Sequence, residues 1–132
     1  MLAPAAAGED IRQPTARNAK ETIFVLEPMR LLVDAPQLVS EKLAVGDNAG
    51  AAEAASRRGS QAARVMWKPA NIRARETDGW QHMMGVIRGG FDDVAAASLA
   101  EAPLPQILAL LSETRKGCVD RHQVYRLVGA PD

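Results

Sequence analysis

Along most of the chain apolar residues recur at steps of three and four, the period of a helix with one buried face. The first such stripe is Met29, Leu32, Val33, Leu38, Val39 and Leu43. Pro28 suits the first position of that helix, and Pro36 is expected to kink it. Upstream, Ile23 to Leu26 form an apolar run compatible with helix or strand. Gly46 marks a stop and Asp47 a cap. An alanine-rich second helix is predicted from Asn48 to Met66, weakened at Gly50 and Gly59 and ended by Trp67-Lys68-Pro69. A polar linker leads to Thr77, a cap for a third helix striped by Trp80, Met83, Met84, Ile87, Phe91, Val94, Ala95 and Leu99. After a turn at Ala102-Pro103-Leu104-Pro105, the fourth helix is predicted from Pro105 to Val128. Its face carries Ile107, Leu108, Leu111, Thr114 or Arg115, Cys118, His122 and Tyr125.

Residues 1–20 mix alanine, proline, glycine and charge without an apolar period, and read as a loose N-terminal arm. No alternating strand pattern stands out. The expectation is an all-α chain: a flexible arm over 1–20, then an antiparallel four-helix bundle over 21–132. A length of 132 residues suits one domain.

Charge narrows the range of partners. Lys plus Arg and Asp plus Glu number 16 each, so the basic excess of a nucleic-acid binder is missing. Aromatic side chains are too few for a base-stacking platform. No apolar run reaches the roughly 18 residues of a membrane span. The opening ten residues lack the basic start and long apolar stretch of a secretory signal, and fit both a mature end left by cleavage and a cytosolic start. A single cysteine excludes an internal disulfide.

That cysteine carries the candidate chemistry. Cys118 stands four residues before His122, so on a helix thiol and imidazole share a face, about 40° apart. Gly117 beside them would let a flat ligand approach the backbone. The spacing is the second half of the haem-attachment signature C-x-x-C-H, with Arg121 at the place of the second cysteine. A soft-metal site on Cys118 and His122 is the alternative, with only two ligands. Met29, Met83 and Met84 read as gap-filling core, His82 as a surface histidine, and Trp67 and Trp80 as plugs at the bundle ends. No catalytic constellation is visible, and the chain reads as a non-enzyme.

The run Cys118-Val119-Asp120-Arg121-His122-Gln123-Val124-Tyr125-Arg126 resembles the attachment end of the cytochrome c′-like family of four-helix haem proteins. So do Glu27-Pro28-Met29-Arg30-Leu31-Leu32, the corner Leu43-Ala44-Val45-Gly46-Asp47, and Phe91-Asp92-Asp93-Val94-Ala95. The likeness covers about residues 22 to 128. It implies haem c held by one thioether to Cys118, with His122 as proximal iron ligand through Nε2. Arg126 would lie near the haem edge, and Met29 on the distal side as sixth ligand or steric lid. It further implies electron transfer or diatomic gas binding, a redox partner or gas ligand, a periplasmic setting, and a homodimer through the first two helices. Arg121 departs from the pattern and would have to swing outward, toward solvent or a haem propionate. The alternative is a haem-free bundle of the same shape acting as an interaction or structural protein.

Overall fold

The computed structural model describes residues 9–66 and 68–129. Trp67, the first eight residues of the expected arm and the last three of the expected bundle lie outside the described residues. The chain is mostly helical. In order it forms β1 (Gln13–Arg17), α1 (Ala19–Ala44), α2 (Asn48–Ser56), α3 (Ser60–Val65), α4 (Ala70–Arg75), α5 (Asp78–Leu99), α6 (Leu104–Val124) and β2 (Tyr125–Gly129). No helix among the described residues is long and apolar enough to cross a membrane.

Helix α1 begins well before Pro28. Asn18 accepts from the Glu21 amide and caps it, and the helix runs through both Pro28 and Pro36. It stops at Gly46, whose φ of 74° is a conformation that favours glycine. The expected second helix is broken: α2 ends at Ser56 and α3 restarts after Gly59, where the Asp92 carboxylate accepts from the Ser60 amide at 3.1 Å. The expected linker contains the short α4, which buries Ile72. Helix α5 starts where the sequence places it, with Thr77 Oγ1 accepting from the Trp80 amide at 3.1 Å.

Helix α5 is the centre of the body, packed against α2 on one side and α6 on the other, while α1 lies against α2. The side chains of Val39, Ile87, Phe91, Val94 and Ile107 are fully buried, each contributing about 1.5–3 kcal/mol. Buried Ala51, Ala52, Ala54 and Ala55 let α2 approach its neighbours closely. Between α1 and α6 contacts are sparse.

Residues 13–17 are not a loose arm but a strand, and the last helix ends at Val124 rather than Val128. The two segments pair in parallel, from Gln13 opposite Tyr125 to Arg17 opposite Gly129. The entire helical body forms the crossover between them, as a parallel pair requires a long connection.

Candidate functional site

The tail of α6 decides what Cys118, Arg121 and His122 can do. Its buried positions are Ile107, Leu111, Thr114 and Arg121. The steps of four, three and seven carry the inward stripe through 121. His122 lies about 100° further round and is exposed. Its Nδ1 is 2.7 Å from the Cys118 carbonyl, one turn back on the same helix. Cys118 is half-buried at the edge of the core. Burial pushes its thiol pKa up, against the opposing pull of the Arg121 and Arg115 charges.

Arg121, expected to turn outward, is instead 3% exposed. Its guanidinium donates to Met84 Sδ at 2.8 Å and to Met29 Sδ at 2.6 Å. Its carbon also sits 5.4 Å from the centre of the Trp80 ring. Thioether sulfurs are weak acceptors, and the ring face adds a modest cation–π attraction. No carboxylate among the described residues pairs with it. Desolvation accordingly lowers the Arg121 pKa from its ordinary value, with Cys118 opposing the shift.

Gly117 does not open the backbone to a flat ligand. An added Cβ there would stand 3.0 Å from Ile87 Cγ1, so the missing side chain lets α5 close onto α6. Arg126 is engaged with the N-terminal strand: its Nε donates to the Arg12 carbonyl at 3.3 Å and lies 3.7 Å from Asp10 Oδ2. The residues expected around a porphyrin therefore do not converge. Met29 faces inward onto Arg121, His122 faces out, and a guanidinium fills the space between α1, α5 and α6. As folded, they do not fit haem. Nor does any group of three or more His, Cys, Asp and Glu among the described residues gather as a metal site would.

A different feature is lined in part by Met29, Trp80 and Met84. A cleft of about 590 Å³ lies between α1, α5 and the α3–α4 segment. Phe24, Val25, Met29, Trp80 and Met84 give it an apolar lining, and Arg64, Arg73 and Arg88 bring positive charge to it. Lys68, also on the wall, is ion-paired with Glu76. Sequence reasoning missed this cleft because its cations fall in a stretch read as linker, or singly on helices. The signal was present in the excess of basic over acidic residues from Arg57 to Arg75.

No family model matches the chain, and no curated protein or solved structure matches it either.

Proposed function

We propose that the chain is a haem-free helical bundle of cytochrome c′-like shape, built on α1, α2, α5 and α6, that works by binding rather than by electron transfer or catalysis. The observation that carries this reading is Arg121. Its side chain takes up the interior position between Met29, Met84 and Trp80, where the resemblance would put the edge of a porphyrin. The outward turn of His122 points the same way. Exposed Ile23, Leu31, Val33 and Leu38 on α1 suit a homodimer through the first helices, which sedimentation would read as a doubled mass.

One observation favours the haem reading. The contact of His122 Nδ1 with the Cys118 carbonyl leaves Nε2 available as a ligand atom. That reading joins Cys118 by one thioether, uses His122 on the iron, and brings with it a redox partner or gas ligand and the periplasm. It requires Arg121 to leave the interior.

The mass of the intact protein separates the two. The chain is made in a host that exports it to a compartment with working haem-attachment machinery. The expected result is the 14.1 kDa polypeptide without an adduct and without a Soret band. A haem adduct that survives acid-acetone extraction overturns the proposal.

A further inference from the structure

We propose that the cleft between α1, α5 and the α3–α4 segment binds an amphiphilic acid: a small molecule with a flexible aliphatic body and a carboxylate head. This deepens the reading of the chain as a haem-free binding protein and rests on it. The volume, about 590 Å³, falls within the range of small-molecule sites, roughly 300–1,000 Å³.

Two independent observations fix the chemistry of the occupant. The floor is apolar and adaptable, with Met29 and Met84 beside Phe24, Val25 and Trp80. Thioether side chains rearrange around irregular aliphatic shapes at little cost. The charge around it is one-sided. Arg64, Arg73 and Arg88 line the cleft, and none forms an ion pair with a described carboxylate. The wall's Glu76 is taken by Lys68.

A fourth cation lies next to this lining. Arg121 touches Met29, Met84 and Trp80, three residues that also line the cleft. It is 3% exposed and has only sulfur and ring partners. A buried cation without an anion adds to the positive potential of the neighbouring cleft. The cleft therefore offers an apolar surface with an unneutralised positive field, the complement of a fatty carboxylate. Arg, rather than Lys, at its rim suits two-pronged capture of that head.

The test titrates the delipidated protein with decanoate, decanol and decyltrimethylammonium, each below its aggregation concentration. Calorimetry and tryptophan emission follow binding. One decanoate per chain is expected, with decanol at least about tenfold weaker and the cationic amphiphile weaker still. Arg73→Gln with Arg88→Gln should cost decanoate about tenfold and leave decanol unchanged. Gly85 lines the cleft, and a Cβ added there meets nothing within 4 Å. Gly85→Leu should therefore block both ligands while the circular dichroism spectrum and unfolding midpoint are kept.

Equal affinity for decanoate and decanol overturns the proposal. So does an absence of saturable decanoate binding, or unchanged affinity in Gly85→Leu. A haem-free mass with no decanoate binding removes the ligand class and leaves the binding-protein reading intact. A haem adduct with decanoate still bound removes the haem-free reading alone.

Discussion

Arg121 holds a positive charge where two thioethers and an indole meet, and its desolvation is only partly offset by those neighbours. Replacing even a paired set of buried ions by apolar side chains of similar volume is often neutral or stabilising by about 1–4 kcal/mol, and Arg121 lacks a described anion to offset its desolvation. Arg121→Met is therefore expected to raise the urea unfolding midpoint, with a gain of about 1–3 kcal/mol; a loss would mean that the cation has an anionic partner in solution. Cys118 is the second residue whose surroundings set its chemistry. Its folded thiol pKa is raised, chiefly by burial. That preference for the neutral thiol stabilises the fold at every pH below the ordinary thiol pKa. It is lost as pH rises through the folded pKa. At pH 8 iodoacetamide should modify Cys118 more slowly in the folded protein than in urea, and equal rates would contradict its burial. Glu21 makes the third case. It is 4% exposed and receives both contacts of Arg75, at 2.7 and 2.9 Å. Arg75→Ala leaves that carboxylate unpaired and should cost roughly 1–3 kcal/mol in chemical unfolding.

Two of the long helices meet through small residues at two points of one seam. On α5 and α6, Gly90 faces Thr114 and Gly117 faces Ile87. Gly117→Val drives a branched side chain into Ile87 and should destabilise by about 1–3 kcal/mol, read as a lower thermal midpoint. An unchanged midpoint would mean that α6 shifts freely along α5. The start of α5 is fixed by one side chain, Thr77. Caps of this kind were legible beforehand, because a threonine ahead of an apolar period satisfies an orphan amide whatever the rest of the fold does. The break at Gly59 was legible only as a weak point. Its position became a true end because Asp92, distant in the chain, supplies the acceptor for the Ser60 amide.

For the whole molecule, closure depends on chain ends that are far apart in sequence. β1 and β2 pair in parallel, and Arg12 donates to the His122 carbonyl at 3.2 Å. Arg126 adds the reverse contact to Arg12 and Asp10. Asp10 has its pKa held at about 2, chiefly by hydrogen bonds from Arg12. Its contribution to the pairing runs through Arg126, the smallest cause of that shift; it is present above the ordinary aspartate pKa and fades as pH falls through about 2. Amide exchange in Leu127 and Val128 should speed up in acid before that of α5, and Asp10→Asn should reproduce the effect at neutral pH. If both sets of amides lose protection together, the strand pair is part of the central cooperative unit.

Helical period, caps and stops were written into the sequence, since they depend on neighbours three or four residues away. The stripe from Met84 through Phe91 to Val94 is buried as its spacing required. The strands were not legible: five residues of mixed character gain strand geometry only from a partner more than a hundred positions distant. The facing of the α6 tail was equally out of reach. Cys118, Arg121 and His122 all lie within about 100° of arc, and local chemistry favours sending the arginine outward. Packing against α1 and α5 settled which of them turned in, because Met29, Met84 and Trp80 surround the guanidinium on three sides while His122 is left to water.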